Sequence, residues 1–126
     1  AVVASVNPSP THQTLALRRS GSMVIPNSSD LMHWEIGDHG FAMGLWALVP
    51  ETVGAALLPW LRDWLKDQSI DLEAVASWAV HPGGPRILST CAEVLSLGPD
   101  HLRESRGILQ DHGNMSSATI LFMLER

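Results

Sequence analysis

Ala76-Ser77-Trp78-Ala79-Val80-His81-Pro82-Gly83-Gly84-Pro85-Arg86-Ile87-Leu88 decides the reading of this chain. Ala76 to Val80 is a short apolar run and reads as a buried strand. His81 to Pro85 is a sharp Gly- and Pro-rich turn. Pro85 suits the first turn of a following helix, where its missing N–H costs little. Ile87, Leu88, Cys91, Val94 and Leu95 recur at helical spacing and give that helix a buried face. A strand, a tight turn and a helix in that order form the repeating unit of an α/β domain.

Upstream, residues 1–6 are small and β-branched and read as another buried strand, followed by a turn at Asn7-Pro8-Ser9-Pro10. Residues 15–25 read as a strand interrupted by Gly21. Residues 34–40 and 41–48 read as two short strands around a turn at Asp38-His39-Gly40. Val53, Leu57, Trp60, Leu61, Trp64 and Leu65 form one helical face. Pro50, with Glu51 behind it, marks the start of that helix. Pro59 inside it should kink or split it. Downstream, Gly98-Pro99 should end the central helix. Asp100 is a good N-cap for another, running to about Gln110 and stopped by Gly113. Asn114 should open a last helix over 115–126. The fold class expected is a mixed β-sheet packed with helices.

The chain has 126 residues and 45% hydrophobic content, which suits one domain, taken here as 1–126. Net charge is −5, and no basic block exists, so nucleic acid is not an expected partner. No apolar stretch is long enough to span a bilayer and no signal-peptide pattern opens the chain. A lone cysteine, Cys91, makes no internal disulfide, and a reducing, cytoplasmic setting is the default. The chain begins mid-pattern at Ala1-Val2-Val3-Ala4 and ends directly after an apolar run, as expected of a piece of a larger protein.

His81 lies at the carboxyl end of the expected strand, where open α/β sheets bind ligands. Its imidazole can donate to a developing oxyanion or stabilise a thiolate. Gly83 and Gly84 would let a ligand approach the backbone. The plain structural alternative is a hydrogen-bonded core histidine. Asn114 can donate its amide to an oxyanion at a helix N-terminus, or be an ordinary N-cap. Cys91 falls on the buried helix face, which suits packing rather than nucleophilic chemistry. The six histidines show no metal-site spacing, so no metal is expected. Asp111 and His112 are adjacent on a helix end and should point apart.

Two strings, Trp78-Ala79-Val80-His81-Pro82-Gly83-Gly84-Pro85-Arg86-Ile87-Leu88 and Gly113-Asn114-Met115-Ser116-Ser117-Ala118-Thr119-Ile120-Leu121-Phe122, resemble signature stretches of the type III polyketide synthases, chalcone and stilbene synthases included. The resemblance implies a thiolase-like fold of two similar α/β halves, of which this chain would be most of the second. A Cys in the first half would hold the growing chain as a thioester. His81 and Asn114 match the family's catalytic His and Asn. They would bind the malonyl thioester carbonyl and stabilise the enolate formed on decarboxylation. By the same resemblance, Met43 stands where the family usually has a gatekeeper Phe, and Trp34 where chalcone synthases have Gly. Ser116 matches a cavity-lining Ser, and Arg86 a position at the pantetheine tunnel.

The implied substrates are malonyl-CoA and a starter acyl-CoA, with no cofactor beyond these CoA thioesters. The implied partners are the first half and a second copy in a homodimer. The first half, the Gly-Phe-Gly-Pro-Gly loop after the last helix and the final strands are missing, so the chain alone should be inert. A β-ketoacyl carrier-protein synthase III-like half is disfavoured, because that class shows His-Gln-Ala-Asn where His81-Pro82-Gly83-Gly84 stands here. A non-catalytic dimerisation module is the third reading.

Overall fold

The structure, a computed structural model, describes residues 15–126. The strand read over 1–6 and the turn after it lie outside them. Two strands, β1 (Met32–Gly37) and β2 (Gly40–Leu45), form an antiparallel hairpin. Gly37 pairs with Gly40, so the loop is Asp38-His39. Gly40 adopts φ +132°, which a side chain would resist. The turn is where the sequence placed it.

Because cross-strand partners share a face, the register sorts the hairpin cleanly. Met32 pairs with Leu45, Trp34 with Met43 and Ile36 with Phe41, so one face is wholly apolar. All six of these side chains are exposed. On the other face the His33 ring covers Gly44, and its Nε2 lies 3.4 Å from Glu35. A bond from Trp46 N–H to Leu31 O, 2.9 Å, closes the base of the ribbon.

The rest of the described chain is helical. Helix α1 runs Val49–Lys66, α2 Pro85–Val94, α3 Arg103–His112 and α4 Ala118–Glu125. Pro50 and Pro85 sit in the first turns of α1 and α2, as expected. Helix α1 packs on α2, α2 on α3 and α3 on α4. Their shared core contains Leu65, Leu88, Cys91, Leu95, Leu102, Ile108 and Met123. Gly54 permits the close crossing of α1 and α2: a Cβ there would lie 2.6 Å from the Thr90 methyl.

Five expectations need correction. Residues 15–25 form no strand; they cross α1, with Gly21 against the Trp64 indole. Residues 76–80 form no strand either, because no described backbone pairs alongside them. Pro59 does not split α1; it is exposed, where the carbonyl it leaves unbonded can face water. Helix α2 stops at Val94, ahead of Gly98-Pro99, where Ser96 turns left-handed at φ +54°. Asp100 caps nothing; it lies within a short 3-10 turn, Pro99–Leu102, that leads into α3.

Candidate active site

The turn after residue 80 and the loop after α3 carry the two candidate donors, and the fold brings them together. Gly83 N–H donates to the His81 carbonyl at 3.0 Å, which folds His81-Pro82-Gly83 into a tight bend over the buried Pro82. Asn114 reaches across to that bend: its Nδ2 donates to the Gly83 carbonyl at 3.4 Å. Its Oδ1 accepts the Ser116 N–H at 2.9 Å.

Asn114 is therefore not the cap of α4, as expected from sequence. The helix begins only at Ala118, because Ser116 adopts φ +58° and interrupts helical geometry. The amide instead ties the two motif-bearing segments together. With Oδ1 engaged and one long bond at Nδ2, the second Nδ2 proton remains available to a ligand.

The His81 ring is half-buried and makes no hydrogen bond or ion pair to any described residue. That removes the bonded core histidine as the account of it among those residues. A Cβ on Gly84 would meet no atom within 4 Å, and one on Gly83 would make only ordinary contacts. Packing does not demand the glycine pair; open space lies beside that backbone.

Gly113 sets the direction of the Asn114 loop. Its φ of +72° and ψ of −164° fall in a region essentially reserved for glycine. Gly113→Ala should cost about 1–3 kcal/mol through backbone strain alone, since its Cβ would meet nothing within 4 Å. A fall in urea midpoint at unchanged slope checks this.

The remaining candidates are placed as follows. Trp34 and Met43 are direct cross-strand partners, and Trp34 meets Phe41 edge-on with centroids 6.4 Å apart. The polar and ring contacts of the hairpin stay within it and its flanking turn, so no such contact joins this pair to His81 or Asn114 among the described residues. Arg86 is exposed on α2 and lies 3.6 Å from Glu51 of α1. Ser116 is exposed beside Asn114. Two surface grooves lie elsewhere. One of about 250 Å³ is lined by Leu58, Arg62, Trp78 and Val94 among others, and one of about 510 Å³ by Arg19, Trp64 and Ile70 among others. Neither is lined by His81 or Asn114.

Cys91 is buried, and burial pushes its thiol up from the ordinary value, so it stays protonated at neutral pH. A thiol reagent should label it slowly in the folded chain and rapidly in denaturant, by mass spectrometry. Asp111 and His112 take different partners at the end of α4. Asp111 bonds Arg126 at 2.7 Å, which holds its carboxyl below the usual range, while His112 lies against the Phe122 ring. Among the described residues no group of three or more His, Cys, Asp or Glu side chains could hold a metal. No helix there is long and apolar enough to cross a membrane.

With both turns in place, the comparison with known proteins is decisive. The family profile described as chalcone and stilbene synthases, C-terminal domain, matches residues 16–126. This chain belongs to that family. The synthase domain is 34% identical over 110 residues to 1,3,6,8-tetrahydroxynaphthalene synthase of Streptomyces coelicolor (strain ATCC BAA-471 / A3(2) / M145), covering 87% of this chain and 29% of that protein. It is likewise 34% identical over 100 residues to the enzyme of the same name from Streptomyces peucetius subsp. caesius, covering 79% of this chain and 26% of that one.

Among solved structures it resembles PKS-I from the brown alga Ectocarpus siliculosus. That match has a TM-score of 0.77 and 26% identity, and covers 81% of this chain and 27% of that one. The domain thus has the thiolase-like fold of a type III polyketide synthase, and it spans under a third of the length of these relatives.

Two contributors to the site escaped the sequence reading: Ser105 and Thr119, whose buried hydroxyls contact the segments bearing His81 and Asn114. The available signal was a hydroxyl residue on the apolar stripe of each helix, three residues before Ile108 and four before Met123.

Proposed function

We propose that this domain supplies the oxygen-binding donors of a type III polyketide synthase, which extends an acyl-CoA starter with units from malonyl-CoA. The observation that carries the reading is the Asn114 amide on the Gly83 carbonyl, beside a His81 imidazole with no bonded partner among the described residues. One donor comes from each signature motif, and the fold joins the two turns that bear them.

The chemistry follows from those donors. A malonyl thioester carbonyl accepts from His81 and Asn114. The carboxylate leaves as carbon dioxide, and its bonding pair passes into an enolate whose negative oxygen the two donors hold. The enolate carbon then attacks the acyl thioester carried on a cysteine outside this chain. A carbon–carbon bond forms and the thiolate departs. Each donor aimed at the developing charge is worth about 3 kcal/mol. The reaction as written uses CoA thioesters and no further cofactor. Trp34 and Met43, side by side on the hairpin, are suited to shaping the space for the growing chain. Met adapts its shape more readily than an aromatic ring. Arg86, near the same helix start as the glycine pair, is suited to the CoA arm.

The test is release of carbon dioxide from malonyl-CoA by the full-length protein that contains this domain, compared with His81→Ala and Asn114→Ala. Turnover should collapse in both. Unchanged turnover in either would overturn its assigned role. The domain by itself, supplying no nucleophile to carry the starter, should form no carbon–carbon bond.

A further inference from the structure

Ser105 on α3 and Thr119 on α4 are both 0% exposed in an otherwise apolar core. A hydroxyl in such surroundings is costly unless it is bonded. Both are bonded, and to a particular place. Ser105 Oγ accepts the Val80 N–H at 3.2 Å. Thr119 Oγ1 accepts the Met115 N–H at 2.9 Å. Val80 immediately precedes His81, and Met115 immediately follows Asn114. The two buried hydroxyls therefore grip the backbone next to each proposed donor.

The grip has a local reason on each side. Residues 76–80 belong to no described ladder, so the Val80 N–H finds its acceptor in a helix 25 residues away in sequence. The loop over 113–117 is too irregular to bond itself along its length, with Gly113 and Ser116 both at positive φ. Thr119 pins it at two points, since its own N–H also donates to the Ser116 carbonyl at 3.2 Å. Ser116 N–H in turn holds the Asn114 Oδ1. The orientation of the Asn114 amide thus follows from Thr119 through a short, closed set of bonds.

We infer that Ser105 and Thr119 are positioning residues, which hold the His81 and Asn114 backbones at the spacing that lets both side chains meet one oxygen. The inference rests on the role given to those two donors under the proposed function. A displacement of about 1 Å at a reacting centre can cost on the order of 100-fold in rate. Loss of either hydroxyl should therefore lower kcat on the order of 10- to 100-fold while leaving KM for malonyl-CoA within about twofold.

The experiment uses the full-length enzyme with Ser105→Ala, Thr119→Val and Thr119→Ser. Thr119→Val keeps shape and loses the acceptor; Thr119→Ser keeps the acceptor. Malonyl-CoA decarboxylation gives kcat and KM, and hydrogen–deuterium exchange reports the segments around Val80 and Met115. Support is a fall in kcat with faster exchange in Ser105→Ala and Thr119→Val, and recovery of both in Thr119→Ser. Unchanged kcat despite faster exchange overturns the positioning role. Unchanged exchange, or a Thr119→Ser variant as impaired as Thr119→Val, overturns the hydrogen-bond account. Should Ser105→Ala not fold, the Thr119 pair decides alone. His81→Ala and Asn114→Ala run alongside: if they stay active, the proposed function falls; if they are dead while Thr119→Val is fully active, only this inference does.

Discussion

Leu88→Ala is expected to leave much of the helical core unfolded under conditions where the parent chain is folded. Leu88 is completely buried on α2, the helix that packs against both α1 and α3. Removing its isobutyl group loses the transfer free energy and leaves a cavity that the neighbouring helices can only partly fill. Such truncations cost about 2–5 kcal/mol. Domains of this size hold only about 5–15 kcal/mol in total. Urea denaturation of the chain should show the loss as a lower midpoint. Leu88→Met, which conserves volume, should cost less than about 1.5 kcal/mol. A Leu88→Ala loss no larger than the Leu88→Met loss would mean that the core is not organised around this residue.

The second large effect concerns catalysis. His81→Ala and Asn114→Ala should each lower decarboxylation by the full-length protein about 100- to 1000-fold, the usual consequence of deleting one donor to a developing oxyanion. The informative variant is the double one. If both donors serve one oxygen, the second deletion removes little that the first has not already spoiled, and the double variant should resemble the worse single one. Fully multiplicative losses would mean independent tasks. Asn114→Asp keeps the acceptor for the Ser116 N–H but deletes the donor. It should be inactive, because both the bond to the Gly83 carbonyl and the donor to the substrate oxygen are lost while the Ser116 N–H keeps its acceptor.

The signals legible in the sequence were the local ones. Pro50 and Pro85 mark helix starts because a missing N–H is harmless only there. Asp38-His39-Gly40 marks the hairpin because Gly40 tolerates its φ. Gly113 ends α3 for the same kind of reason, and Cys91 is core because its helical phase matches Leu88 and Leu95. What failed was non-local or solvent-dependent. Whether residues 76–80 count as a strand depends on what lies beside them, which no period-two pattern contains. Pro59 stands where a helix can split, yet a proline on the water-facing side leaves α1 in one piece. Asn114 stands where a helix cap belongs, but its amide serves a carbonyl 31 residues away. The motifs named the two candidate donors; the bond that unites their turns required the structure.

The hairpin has a consequence for the order of events as the chain is made. A lone two-stranded ribbon is at best marginally stable in water, and this one shows its greasy side outward. The helices after it draw on close-range contacts, which assemble fast. The ribbon leaves the ribosome before these helices yet should settle after them, waiting for a cover while the later-born helices are already in place.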